Sequence, residues 1–275
     1  MTAHAVSPPA QSRVAPAAVA AGVLCAAAAG WVVLAGRMAG MDTSPGGGFG
    51  SLGWFAVTWV VMTAAMMLPG SAPAVARAVH SRRGRPAVTT ATAVGFTAAY
   101  VAVWLLAGLA GYAVVRAVRG LDVSALGWTS AGRYVAGGAI LAAGLFQLTP
   151  VKRRWLARCT DPGHRVPRPG FPGALRAGAG HGVCCVACCW TLMVALYALG
   201  WMSITWMVLV TVLIGGERLV ARRSFAVAAV AAVLVVLGLG VIVAPASVPG
   251  LAIPPAGHSA GMGMGMGMGM SMGMG

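Results

Sequence analysis

The chain has 275 residues, 59% of them hydrophobic and only 8% charged, against roughly a quarter charged in an ordinary soluble domain. A soluble fold of this length cannot hide so much apolar surface, so the composition argues for a lipid-embedded chain. The net charge of +15 would suggest nucleic acid in a soluble protein, but here the basic residues lie between apolar runs and no basic face is interleaved with aromatics. They read as topology determinants that meet anionic lipid heads, and nucleic acid is not an expected partner.

Seven apolar segments follow one another, at about 16–36, 52–70, 90–115, 132–149, 178–199, 202–216 and 224–244. A spanning helix needs about 20 mainly apolar residues. The expected fold is therefore all-α, a polytopic transmembrane helix bundle of about seven helices over residues 16–244. Residues 1–15 precede it as an N-terminal cytoplasmic segment, and 245–275 follow as a disordered Met/Gly-rich tail. The first segment is Ala-rich but longer than a signal-peptide core, and it reads as a spanning helix. With the N-terminus inside, the inner loops hold fifteen of the nineteen Lys and Arg residues, leaving Arg37, Arg116, Arg119 and Arg133 outside. That bias predicts a cytoplasmic N-terminus and a C-terminus outside.

The second segment carries Trp59-Val60-Val61-Met62-Thr63-Ala64-Ala65-Met66-Met67-Leu68-Pro69. Met62 and Met66 are four residues apart and share a helix face. Methionine at that spacing is ordinarily packing material, but its thioether is also a soft ligand. The fourth segment closes on Gln147 and Thr149, and the sixth on Glu217; polar groups at membrane depth are functional candidates.

The fifth segment contains Gly180-His181-Gly182-Val183-Cys184-Cys185-Val186-Ala187-Cys188-Cys189-Trp190, with four cysteines in six positions. This run is expected to open its helix. At 100° per residue His181, Cys184, Cys185, Cys188 and Cys189 fall within an arc of about 140°. One or two such cysteines would serve close helix packing; four with a histidine one turn earlier favour metal or redox chemistry. Thiolate and imidazole suit Cu(I), Zn(II) or an iron–sulfur centre, and adding the thioethers of Met62, Met66 and Met67 favours copper. Helices two and five run in opposite directions, which places Met66, Met67 and the cysteines at one cytoplasmic depth. Segments five and six are joined only by a Gly200-Trp201 turn. The tail ends in a Gly-Met alternation from Met262 to Met274 that could gather Cu(I) but cannot form a core.

Three stretches together resemble a bacterial family of predicted metal-binding integral membrane proteins of unknown function. They are the run from Trp59 to Pro69; Gly144-Leu145-Phe146-Gln147-Leu148-Thr149-Pro150-Val151-Lys152, continuing to Cys159 and Pro162; and Gly178 through His181-Gly182, Cys185, Cys188, Cys189, Trp190 and Met193 to Trp206 and Glu217-Arg218. The resemblance covers about residues 50–220. It implies a multi-pass protein of the bacterial inner membrane, and it carries over to Cys185, Cys188 and Cys189. In that family an aromatic commonly stands where this chain has Cys184, and a cysteine where it has Trp155.

The sequence therefore points to metal handling rather than enzymatic turnover. Soft-metal binding, with copper ahead of zinc or an iron–sulfur centre, rests on Cys185, Cys188 and Cys189 with His181, Cys184, Met62, Met66 and Met67 completing or flanking the site. The lipid bilayer and a metal donor or acceptor protein are the expected partners. A membrane thiol–disulfide oxidoreductase using Cys185 and Cys188 is the alternative, and a non-catalytic subunit of a membrane complex is a third reading. No Walker-type phosphate loop supports an ATP-driven pump.

Overall fold

The computed structural model describes residues 11–38, 51–80, 86–120, 131–160, 170–219, 223–248 and 251. Within them lie eight α-helices: α1 Gln11–Met38, α2 Leu52–His80, α3 Pro86–Gly120, α4 Arg133–Gln147, α5 Pro150–Thr160, α6 Phe171–Gly200, α7 Ile204–Leu219 and α8 Arg223–Val243. A short 3-10 turn, Pro245–Ser247, follows. Each of the seven expected segments is a helix. Five (α1, α2, α3, α6 and α8) are long and apolar enough to cross a membrane, and the bent pair α4–α5 makes a sixth if counted as one span. At 16 residues α7 reaches only about 24 Å, short of a hydrocarbon core of about 30 Å.

Two boundaries differ from expectation for identifiable reasons. Residues 150–160, expected as a basic loop, form α5. Pro150 occupies its first turn, where a missing N–H costs nothing. Thr149 caps the helix, its hydroxyl accepting from the Lys152 N–H at 3.3 Å and its carbonyl from the Arg153 N–H at 3.3 Å. The axis turns by 68° between α4 and α5. Lys152, Leu156 and Cys159 are buried along one stripe of α5, while Arg153, Arg154 and Arg158 face out. The second difference concerns α6, which starts at Phe171 with Pro172 in its first turn. The cysteines lie midway along the helix rather than opening it.

Helix α6 is the centre of the bundle. Its most apolar window is 56% buried, against 17% for α1 and for α3. It touches α2, α3, α4, α5 and α7, and its broadest contact is with α3 rather than with the methionine-bearing α2. Gly178 and Gly182 explain that preference. A Cβ at Gly178 would collide with the Phe96 carbonyl, and one at Gly182 would come within 2.9 Å of Val103. Small residues let helices approach closely where no water drives them together. Gly178→Val is expected to separate α3 from α6 and cost at least about 1–3 kcal/mol, the usual range for overpacking. Denaturant unfolding in detergent, with Ala177→Val as a comparison, measures it.

The α6–α7 turn falls where the sequence placed it. Gly200 has φ 112°, a left-handed conformation that a residue with a Cβ adopts only at a cost. Trp201 in that turn packs against Trp54 and Phe55 at the head of α2, with ring centroids 6.1 and 5.6 Å apart. The start of α2 and the α6–α7 turn therefore share one level. Of the tail, only 245–248 and 251 are described; the Gly-Met alternation lies outside the described residues.

Candidate metal site

On α6, Cys185, Cys188 and Cys189 are at most 1% exposed. Cys184 is half-buried. The cysteine face thus divides three to one, with Cys184 off the inward side. The Sγ atoms of Cys188 and Cys189 are 3.3 Å apart, and the Cys188 thiol donates to the Cys185 carbonyl at 3.3 Å. A fourth thiol arrives from outside α6. Cys159, on the buried stripe of α5, is 3% exposed and interacts with the thiols of Cys185 and Cys188. Among the described residues, which include all six cysteines, no disulfide forms.

Two further side chains converge on Cys185. Tyr100 of α3 places its hydroxyl 3.1 Å from the Cys185 sulfur. Arg218, near the end of α7, donates from its guanidinium to Cys185 Sγ at 2.8 Å, with Cys189 Sγ at 3.9 Å. That is the geometry of a charge-assisted bond to a sulfur anion. The guanidinium reaches this position across Gly70 of α2, where a Cβ would stand 2.6 Å from one of its nitrogens.

Beside the thiols lies a buried ion pair. Lys152 and Glu217 are 0% and 1% exposed, with Nζ and Oε2 2.8 Å apart. The contact has the distance of an ion pair but not the angles of a directed hydrogen bond. The ammonium also donates to the Cys188 carbonyl at 2.6 Å. Lys152 and Glu217 compensate each other, and the hydrogen-bond partners of the partly buried Arg218 guanidinium are sulfurs. A buried charge needs a partner.

The remaining sequence candidates take graded positions. His181 packs beside Phe96 and Tyr100, with ring centroids 5.8 and 5.6 Å away, and its Nε2 is buried without a hydrogen-bond partner. It therefore abuts the tyrosine that holds Cys185. Met62, Met66 and Met67 are 1%, 3% and 2% exposed and belong to the same buried cluster as Cys159, Cys185, Cys188 and Cys189. Gln147 is fully buried with both amide atoms unpartnered, and Thr149 acts as the α5 cap. Among the described residues no three His, Cys, Asp or Glu side chains stand ready as a metal cage. The thiols are gathered, but Cys185 is engaged by Arg218 and Tyr100, and Cys188 is turned onto a backbone carbonyl.

Tyr100, Lys152, Cys159 and Arg218 had not been singled out as site residues. Cys159 and Arg218 stood inside the resembling stretches, so a signal existed for them. Lys152 also stands in one of those stretches, although its charge alone reads as a loop cation, and Tyr100 lies 85 residues from Cys185 in an unremarkable apolar run.

No curated protein and no solved structure showed significant similarity to the chain. A family model described as PpoB2, copper chaperone, matches residues 56–241, a span that takes in α3 to α7 whole, nearly all of α2 and α8, and every thiol, methionine, tyrosine and arginine of the site just described. The match covers well over half of the sequence, and the chain belongs to the PpoB2 copper chaperone family.

Proposed function

We propose that this protein spans the bacterial inner membrane and binds copper as Cu(I) through the thiols of Cys185, Cys188 and Cys189, for handling and transfer to a partner. The observation that carries the reading is a set of buried thiols gathered around one partly buried guanidinium at the centre of an apolar bundle. Soft thiolates select Cu(I), and membership of a copper chaperone family supports that metal over zinc or an iron–sulfur centre. Copper is cargo here, not a resident cofactor. Counted as seven crossings, with the short α4 and α7 included, the bundle would have its N-terminus in the cytoplasm and its C-terminus outside, the orientation favoured by the basic residues, with the exposed arginines of α5 at the inner lipid surface.

Copper measured per chain in purified, detergent-solubilised protein tests the reading. Wild type should hold stoichiometric copper, Cys185→Ser/Cys188→Ser should lose it, and Cys184→Ser should keep it. Metal-free wild type whose cysteines cycle between thiol and disulfide would instead support the oxidoreductase reading. Cys159→Ser is expected to weaken binding by about 10–100-fold, the usual effect of losing a supporting group beside a metal site. Competition against a Cu(I) chelator measures that loss.

A further inference from the structure

The described residues contain seven methionines, Met38, Met62, Met66, Met67, Met193, Met202 and Met207, and none of them faces outward. Six are buried, the seventh (Met193) packs against them, and all belong to the one cluster that holds the thiols. Leucine and valine do not behave this way. Both are found buried and exposed on the same helix, as Leu68 with Leu52 and Val75 with Val57 illustrate on α2. The apolar side chain able to bind Cu(I) is the one kept inside.

Their levels form a series. Packing of Trp54 and Phe55 on Trp201 sets the head of α2 level with the α6–α7 turn, where Met202 lies buried. Counting 1.5 Å per residue from that level, Met207 lies roughly 5 Å down α7 and Met193 roughly 10 Å down α6. Met62 follows roughly 11 Å down α2, and Met66 roughly 17 Å down α2, level with Cys189 roughly 17 Å down α6. Successive levels thus differ by no more than roughly 6 Å in depth, and each side chain is unbranched with three rotatable bonds.

Resting on the copper reading above, we infer that these methionines form a thioether path by which Cu(I) passes between the α6–α7 turn and the cysteine cluster. Each step breaks one copper–thioether bond as the next forms. A thioether carries no proton and no charge, so neither protons nor electrons move along the path, and the ion keeps its single positive charge until it meets the thiols, where any thiol proton is released to water as the copper–sulfur bond forms. Neutral, weak ligands hold the ion loosely enough to pass it on, whereas the thiols retain it.

The test uses full-length protein in oriented vesicles, with Cu(I) supplied on one face as a membrane-impermeant complex. Loading is followed by the ultraviolet absorbance of copper–sulfur bonds. Met193→Leu/Met202→Leu/Met207→Leu preserves volume and apolarity and should fold, with the thermal midpoint as the check; Met207→Leu alone serves if the triple variant does not. The variant should reach the same copper content as wild type, but about tenfold or more slowly from the α6–α7 face, and at the wild-type rate from the opposite face. An unchanged rate from the α6–α7 face overturns the path while leaving copper binding intact. A folded variant with reduced final copper overturns it too, because the thioethers would then be permanent ligands. Wild type that takes up no copper at all fails the underlying copper reading, and the path with it.

Discussion

Glu217→Gln should destabilise the bundle by about 3–5 kcal/mol, the cost of stranding one member of a buried ion pair. Lys152 is 0% exposed and would keep its ammonium with a backbone carbonyl as its remaining partner. The replacement Lys152→Met/Glu217→Leu should recover most of the loss, since two apolar side chains of similar size need no compensation. Denaturant unfolding in detergent across the two singles and the double gives the coupling directly. Near-additive behaviour would mean that the two groups do not act as a pair. The effect should extend to the metal, because Lys152 holds the Cys188 carbonyl and ties α5 and α7 to the cysteine turn of α6. The double variant should therefore regain stability without fully regaining copper affinity.

Arg218→Met is expected to weaken Cu(I) binding by about 10–100-fold while leaving the thiols in place. Two thiolates and one Cu(I) carry a net charge of minus one, which is costly in an interior of low dielectric. The guanidinium, 2.8 Å from Cys185 Sγ, cancels it. Charge balance also predicts that two of Cys185, Cys188 and Cys189 bind the ion as thiolates at a time while the third stays protonated beside them, since a third thiolate would leave a buried negative charge without a counterion. X-ray absorption at the copper edge should accordingly report two short copper–sulfur bonds in wild type. Arg218→Lys should retain part of the affinity, because the charge persists while the planar, directed donors are lost. An affinity unchanged in Arg218→Met would mean that the arginine packs against the site without compensating its charge.

The helices were legible because lipid leaves few choices: long apolar runs with sparse charge become helices, and all seven did. The short sixth segment and the Gly200 turn were legible for the same reason, together with the left-handed conformation that glycine permits. Helix α5 was not, because an eleven-residue stretch with four basic residues resembles an inner loop, and its buried stripe includes a lysine. A lysine is a core residue only if a carboxylate awaits it, and Glu217 lies 65 positions further along the chain. At the site, the periodicity of α6 gathers all four cysteines and His181 into one arc, of which Cys185, Cys188 and Cys189 are buried, while only the resemblance, with its aromatic at that position, sets Cys184 apart. The start of α6 was misplaced because Pro172 and Gly173 read as loop, although proline is at home in a first helical turn. With the cysteines midway along the helix, its N-terminal dipole does not bear on them, and Arg218 supplies the positive charge. Tyr100 and Cys159 reach the cysteines through tertiary packing, which local spacing does not encode.

The position of Arg218 near the end of α7 has a bearing on biogenesis. A nascent chain presents Cys185, Cys188 and Cys189 roughly thirty residues before the arginine that covers them is synthesised. Until the α6–α7 hairpin closes at Gly200, the thiols have neither their counterion nor the Lys152–Glu217 tie beside them. The period between insertion of α6 and return of α7 is thus the interval in which adventitious metal or oxidant meets bare sulfur. A chain stalled before residue 217 would remain in that state, with the reactive part of the molecule complete and its protection missing.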